Sequence, residues 1–511
     1  MKESSRTMTR RFFIGGAASL GAVSLGKIRA APAGVHGRGR PNLVLGVISD
    51  VHIASLAGQG SDEIASNVEI TFERALRWFS EQGVDAVVLA GDMSDRGMDE
   101  GLIATGTAWE RVFPNDRAPD GRKVEKLFIY GNHESFSSYG DYPKRLYPDE
   151  AERNRHMLRC DMPGWWKRVF HEDYSRLYEK TVKGYRFVGC HWDVHSGKGN
   201  PHELIRDYMA EKGKSIDPSR PFFYIQHPPL QNTTSGSWAW DHDYGVATKA
   251  LAPFPNAVAI SGHTHYSLTD ERSIWQGAFT AVDAGSLSYT GDPCDSCPPA
   301  GYENTVAVGA DAAKIDKAKM MPCMGTRDVR QGMLWRIYDD CIVMRRRDFV
   351  SGLDLGDDWV LPLPTAESRP FAFAARAKKL RPPQFPAHAA VRVARVKATN
   401  RANVEKDAID ISVPAPAPLP NGRLFELEFV VAGDGKKAVK RVLAPGFNAP
   451  PGHKKALADS HCVFALDDLP PGRMTVSVTP LNSYGQRGNP LATEFGKEVE
   501  KWCAKQAWLN L

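Results

Sequence analysis

The sequence predicts an α/β domain followed by an all-β sandwich. Three observations lead there. From Asn42 onward, short apolar runs alternate with helical spacings. Five of those runs end in Asp, Asn or His. After a stretch rich in Pro, Ala and basic residues, only short alternating segments remain. The expected layout is an α/β domain over 42–352, a linker over 353–388, a β-sandwich over 389–495 and a tail over 496–511. A chain of 511 residues has room for about two to four domains.

The N-terminus stands apart. Thr9-Arg10-Arg11-Phe12-Phe13-Ile14-Gly15 holds paired arginines, and a Gly/Ala-rich apolar segment runs from Ile14 to Leu25. Ala30, Ala31 and Ala33 offer cleavage sites. This order resembles a twin-arginine signal peptide over 1–33, which implies the twin-arginine export machinery as a partner and a periplasmic or secreted protein. Gly15, Gly16 and Gly21 make it a poor helix of the folded body. Residues 1–30 carry six basic residues against one acidic, and the whole chain is +5. The mature chain is therefore near neutral. It offers no basic tract for long nucleic acid. No later apolar run is long enough to span a membrane.

The α/β elements follow in order. Leu43–Ser49 reads as a buried strand ending at Asp50, and Ser61–Gln82 as a helix with Val68, Phe72, Ala75, Leu76 and Phe79 on one face. Ala86–Ala90 and Leu127–Tyr130 are further strands, ending at Gly91-Asp92 and Gly131-Asn132. Tyr185–Cys190, Phe222–Gln226 and Ala257–Ser261 follow, and Met333–Tyr338 with Cys341–Arg346 forms a hairpin. The stretch 134–180 is a long insertion: a lid or specificity element, or a helical excursion with a small core of its own. Five strands carrying ligand-type residues at their C-terminal ends point to one shared site.

In the last third, Val391–Val396, Ile409–Val413, Leu424–Val431, Val439–Leu443 and Met474–Thr479 read as strands. Leu469-Pro470-Pro471-Gly472, Val476-Ser477-Val478 and Asn482-Ser483-Tyr484-Gly485 resemble the later strands of a fibronectin type III domain, although Met474 stands where a tyrosine is usual. Eight cysteines in an exported chain allow disulfides. Cys294-Asp295-Ser296-Cys297 suits a tight disulfide or half of a zinc site, and no second such pair supports zinc.

The chemistry lies in five short blocks. In Asp50-Val51-His52, residues two apart on extended chain face one side, and carboxylate plus imidazole suits Zn, Fe or Mn. Gly91-Asp92-Met93-Ser94-Asp95-Arg96-Gly97 places Asp92 just past a strand, and Gly131-Asn132-His133-Glu134 offers a neutral amide oxygen. His227 follows a fourth strand. Gly262-His263-Thr264-His265 follows a fifth, with both imidazoles able to face one side.

In that order and spacing, the blocks resemble the calcineurin-like metallophosphoesterases, over roughly Asn42 to Val350. The resemblance implies a four-layer α/β sandwich that binds two divalent or trivalent transition-metal ions, Mn, Fe or Zn, about 3.5–4 Å apart. It puts Asp50, His52 and His265 on one ion and Asn132, His227 and His263 on the other, with Asp92 bridging. A hydroxide bridging the ions would attack phosphorus, and His133 would protonate the leaving group. Asp95 would orient His133. Arg96 would fork onto phosphate oxygens or make a surface ion pair. His191, Asp193, His195, Asp241, His242 and Tyr266 lie near strand ends, where they touch substrate or serve as ordinary loop residues.

The reaction implied is hydrolysis of phosphate mono- or diesters. The substrate would be a phosphorylated small molecule, a nucleotide, a phospholipid head group or a phosphoprotein. The competing reading is a non-catalytic protein that binds a surface or glycan through its C-terminal sandwich. The complete ligand set argues against it.

Overall fold

The apolar runs pair into two six-stranded sheets. A computed structural model describes residues 39–53, 62–95, 97, 99–136, 142–193, 201–234, 243–291, 296–297, 300–303, 321–322, 326–399, 404–416, 423–451, 453, 458–498 and 507–508. The signal-peptide expectation lies outside these residues.

The first sheet runs Trp359–Pro362, Cys341–Asp348, Gln331–Ile337, Leu43–Ile48, Ala86–Ala90, Glu125–Ile129. The second runs Leu177–Val182, Tyr185–Cys190, Phe222–Ile225, Ala257–Ser261, Thr280–Asp283, Ile274–Gln276. In the first sheet Leu43–Ile48, Ala86–Ala90 and Glu125–Ile129 run parallel and the other strands antiparallel, while the centre of the second sheet is parallel. The parallel strands are covered on both faces, which is why they read as unbroken apolar runs. Leu43, Leu45 and Val47 face Phe187, Phe223, Ile225, Val258 and Ile260 in the core between the sheets. Val44 and Ile48 face outward, onto Phe72 and Phe79 of the helix Asp62–Glu81 and Trp109 of the helix Asp99–Val112. Outside the second sheet, Tyr224 and Ala259 meet Ile205, Met209 and Leu251 from the helices Pro201–Lys212 and Val246–Leu251. Helix, sheet, sheet and helix make the four layers.

The insertion has no core of its own among the described residues. Asp149 and Asp161 cap the helices Glu150–Arg159 and Met162–Phe170 by accepting N–H groups of Glu152 and Gly164. The second helix buries Met162, Trp166 and Phe170 against Trp109, Phe128 and Tyr130 of the first sheet's outer core.

The stretch expected as a linker, 353–388, is largely structural. Trp359–Pro362 adds an edge strand to the first sheet, and Leu355, Trp359, Leu361 and Phe371 are buried in the inter-sheet core. Its Pro and Arg content masked four apolar anchors. After it stand two four-stranded sheets. One is Ser460–Ala465, Glu405–Val413, Arg392–Thr399, Ala507–Trp508; the other is Lys436–Leu443, Glu426–Gly433, Met474–Leu481, Leu491–Phe495. Alternate residues Ile409, Ile411 and Val413 meet Leu427, Phe429, Val431, Val476 and Val478 between them. Ala507–Trp508, in the segment expected as a tail, pairs with Ala398 and Thr399.

Cys160, Cys190 and Cys462 are buried free thiols, and Cys341 is buried. Cys294, Cys323, Cys503 and the side chain of Cys297 lie outside the described residues. Among the described residues, no helix is long and apolar enough to cross a membrane.

Candidate metal centre

Five strand ends deliver their side chains to one place, where both sheets present their C-terminal edges. Asp50 N–H donates to Gly91 O at 3.1 Å and His52 N–H to Asp92 O at 2.9 Å, which ties the first two loops together. The second sheet joins through His227 Nδ1, 2.7 Å from Ala90 O, and through His263 N–H, which donates to Asp50 Oδ2 at 3.0 Å. Asp50, His52, Asp92, His227, His263 and His265 are all buried.

The turns are sharp. Asp50, His52, Asp92, His263 and His265 have φ between 50° and 73°, a left-handed conformation uncommon for residues with a side chain. The glycines ahead of the ligands answer to close approach. A Cβ on Gly91 would lie 2.4 Å from His227 Nδ1, and one on Gly131 would lie 2.1 Å from Asp92 Oδ1. Gly131→Ala is expected to lose its metal and about 1–3 kcal/mol of stability, the usual cost of overpacking. A denaturant melt alongside metal analysis checks this. An alanine variant with normal metal content would contradict the close approach.

The donor atoms form two groups. Asp50 Oδ1 lies 3.7 Å from His52 Nε2 and 3.2 Å from His265 Nε2, and those two nitrogens are 3.1 Å apart. Asn132 Oδ1 lies 2.9 Å from both His227 Nε2 and His263 Nδ1. Asp92 Oδ2 stands between the groups, 3.1 Å from His227 Nε2 and 3.6 Å from His52 Nε2. Ligands roughly 2.0–2.2 Å from one ion sit about 3–3.5 Å from each other, so the spacings suit shared ions.

Hydrogen bonding shows what these groups ask for. Ala90 O and Tyr289 O can only accept, so His227 and His265 donate their Nδ1 protons to them, at 2.7 and 3.1 Å. In a neutral ring Nε2 then carries a lone pair. It faces Asn132 Oδ1 and Asp92 at His227, and Asp50 and His52 at His265. Acceptors facing acceptors at 3 Å require positive charge between them. The titrations agree. Burial opposes protonation of His227, but the Asp92 carboxylate outweighs it and lifts the imidazole to about 9. Burial likewise opposes ionisation of Asp50, yet His265 and His52 hold its carboxyl well below the usual range. Burial and the neighbouring His227 push His263 down to about 3. Among the described residues the triads Asp50–His52–His265 and Asp92–His227–His263 each have the donors for one ion, with Asn132 beside the second.

His133 is in neither of these triads but forms a third cluster of metal-type donors with His52 and Asp95. Its ring is half-buried, meets His52 edge-to-face at 4.4 Å, and holds Nε2 3.9 Å from Asp92 Oδ2. Burial lowers its affinity for a proton. Nδ1 donates to the main-chain oxygen of Asp95 at 2.7 Å, while the Asp95 carboxylate is 3.8 Å away. The orienting acceptor expected from the carboxylate is thus first the backbone carbonyl. The carboxylate lies nearer His52 Nδ1, at 3.5 Å. Arg96, His195, Asp241 and His242 lie outside the described residues.

Of the other candidates, His191 and Asp193 are structural. Tyr174 Oη donates to Asp193 Oδ2 at 2.5 Å. His191 Nδ1 accepts Tyr130 N–H at 3.0 Å, and Tyr130, Trp166, Tyr174 and Tyr178 enclose the ring. Burial pushes His191 from 6.5 down to about 3. Between those values the unfolded chain takes up a proton that the folded chain refuses. Stability therefore falls as pH drops from 6.5 toward 3, by about 1.4 kcal/mol per unit. In urea melts, His191→Gln, whose amide oxygen keeps the acceptor, is expected to flatten that acid limb. Equal slopes in both proteins would refute the assignment. Tyr266 packs against Phe425 and Phe447 of the C-terminal unit.

Sequence reasoning passed over three groups. Glu134, fully buried, accepts the N–H groups of Asp92, Ser94 and Gly131 at 3.1, 2.8 and 2.6 Å. Burial and the adjacent Asp92 lift its carboxyl to about 7. Its place in Gly-Asn-His-Glu was the available signal. Tyr289 lies tilted against His265, ring centroids 4.1 Å apart, and carries the carbonyl that fixes the imidazole's tautomer. Trp192, whose N–H donates to Tyr130 O beside the Gly131 turn, starts an aromatic row with His202 and the exposed Tyr244. Nothing in the sequence marked the last two.

The sequence model of the calcineurin-like phosphoesterase family matches residues 43–267. The match ends two residues past His265, while the first sheet needs strands as far as Pro362. No curated protein matches the chain. Among solved structures, a dimetal phosphatase from Danio rerio is similar at 13% identity, over 63% of this chain and 99% of that one, with a TM-score of 0.34. A purple acid phosphatase from yellow lupin (Lupinus luteus) seeds is similar at 13% identity, over 63% of this chain, with a TM-score of 0.38. The match spans 54% of the lupin chain. Over residues 43–267 the chain carries a calcineurin-like phosphoesterase domain, and its Asp and His clusters fit a dinuclear metal site.

Proposed function

We propose that the protein is an exported phosphoesterase that hydrolyses phosphate mono- or diesters at a dinuclear metal centre. The observation that carries this reading is the convergence of acceptor atoms. His227 Nε2, Asn132 Oδ1 and Asp92 Oδ2 face one another, as do His52 Nε2, His265 Nε2 and Asp50 Oδ1. In this reading Asp50, His52 and His265 hold one ion, Asn132, His227 and His263 the other, and Asp92 both. When bound, such ions lower the pKa of water and neutralise charge on phosphoryl oxygens.

The remaining work falls to the protein. His133, in its imidazolium form, protonates the departing oxygen through Nε2 and is left neutral, because its Nδ1–H is committed to Asp95 O. Asp95 O keeps the ring in that orientation. Glu134 holds the loops of Asp92 and Gly131 by their N–H groups, so Asp92 keeps its aim without adjusting during turnover. Arg96 is assigned to the phosphate oxygens on its planar fork. The C-terminal unit is assigned as a fibronectin type III-like sandwich. The paired Arg10 and Arg11 ahead of an apolar Gly/Ala stretch support export to the periplasm or medium.

The test is metal analysis of the mature protein, with parallel assays of a monoester and a diester aryl phosphate under added Mn, Fe or Zn. Two ions per chain and clear turnover are expected, and the ratio of the two rates ranks phosphatase against phosphodiesterase. No metal and no turnover under any ion would sink the reading. Fractionation of the producing cells tests export.

A further inference from the structure

Gln331 joins the C-terminal sandwich to one of the two ligand triads. Its side chain is fully buried in the first domain. Nε2 donates to Asn448 O at 2.8 Å, in the sandwich loop that follows Leu443, and Oε1 accepts Leu268 N–H at 2.6 Å. Leu268 lies three residues past the ligand His265. One residue further on, Thr269 Oγ1 donates to Phe447 O of the same loop at 2.7 Å. Gln331 N–H donates to Ser286 O at 2.7 Å, and Ser286 Oγ donates to Asp50 O at 3.2 Å. The same segment supplies Leu287 N–H to Ser49 O at 3.1 Å and the Tyr289 carbonyl to His265 Nδ1.

The sandwich loop is itself held firmly. Arg423 Nη2 donates to the carbonyls of Phe447 and Ala449, and Nη1 to Leu355 O of the first domain at 3.4 Å. Phe447 packs edge-to-face on Phe425 at 4.9 Å, with Tyr266 against the pair. The route thus runs from a fixed loop, through one amide, into the two segments that carry or orient Asp50 and His265. Two members of the other triad are held elsewhere, His227 on Ala90 O and Asp92 by its N–H on Glu134, while the third, His263, shares the His265 loop and donates its N–H to Asp50.

We infer that the C-terminal sandwich is a positioning element for the metal centre, acting through Gln331 on the Asp50–His52–His265 triad more strongly than on the Asp92–His227–His263 triad. The inference rests on the dinuclear reading above. It makes Gln331 a positioning residue and the sandwich part of the site's framework. A loss of these bonds lets the His265 and Asp50 loops relax together, so the ion they share is weakened most.

The experiment is an equilibrium zinc titration of the metal-free full-length mature protein against a competing chelator. The variants are Gln331→Met, which keeps bulk but loses the amide, and Thr269→Val, which keeps shape and leaves Gln331 in place. Wild type is expected to take two ions. In Gln331→Met one ion is expected to weaken by about 10–100-fold, the usual loss for a ligand's outer partner, while the other weakens distinctly less. Thr269→Val is expected to show the same inequality at smaller size, and it serves alone if Gln331→Met does not fold. Equal weakening of both ions, as general destabilisation gives, would overturn the inference, as would no weakening in either variant. A wild type that fails to bind two ions would instead overturn the dinuclear reading itself.

Discussion

Asp92→Ala is expected to lose both ions and essentially all turnover. Its carboxylate is the group common to the two clusters. Oδ2 stands 3.1 Å from His227 Nε2 and 3.6 Å from His52 Nε2, and Oδ1 accepts His133 N–H at 2.9 Å. Removing an outer partner of a ligand costs roughly 10–100-fold in metal affinity or activity, and removing a shared inner ligand exceeds that range. Asp92 also supplies the negative charge that lifts His227. Without it, facing lone pairs remain with one fewer anion to draw a cation in. Metal content after dialysis, measured beside turnover of an aryl phosphate, decides the matter. Two ions retained in the alanine variant would show that Asp92 does not bridge.

His133→Ala is expected to do the opposite: keep both ions and lose about 10²–10⁴-fold in turnover, the usual contribution of a general acid. The ring lies outside both triads, with Nδ1 fixed by Asp95 O and Nε2 on the side of Asp92. The loss should grow as the leaving group becomes more basic, since a good leaving group departs without a proton. Comparing nitrophenyl and alkyl phosphates separates the cases. Full activity on an unactivated ester would remove His133 from that role.

The ligand residues were legible in the sequence because each sits just past a short apolar strand, and Asp92, Asn132 and His263 follow a glycine that close packing demands. Local chain geometry carries that information, and the strands Leu43–Ile48, Ala86–Ala90 and Ala257–Ser261 fall within a residue of their expected ends. What escaped was set by distant contacts. The anchors Trp359 and Leu361 lie in a stretch whose composition suits a linker, and only the first sheet's open edge makes them a strand. The insertion's Trp166 and Phe170 could not be assigned to a core before Trp109 and Phe128 were placed beside them. The hydrogen bond from Gln331 to Asn448 spans 117 residues and leaves no local mark. A backbone carbonyl such as Asp95 O or Tyr289 O is invisible to residue type, although each decides a tautomer.

The left-handed turns at five ligand positions have a consequence for how the molecule matures. Each costs roughly 1 kcal/mol or more against a relaxed backbone, so the metal-free chain folds under a handicap of several kcal/mol at one spot. Under the dinuclear reading proposed above, ion capture would offset that cost, and metal loading and completion of the fold would be one linked equilibrium. For a protein exported as proposed here, by a route that carries folded cargo, the choice of metal is then made where folding finishes. The cytoplasm's supply of ions, rather than that of the compartment where the enzyme works, would set what the site contains.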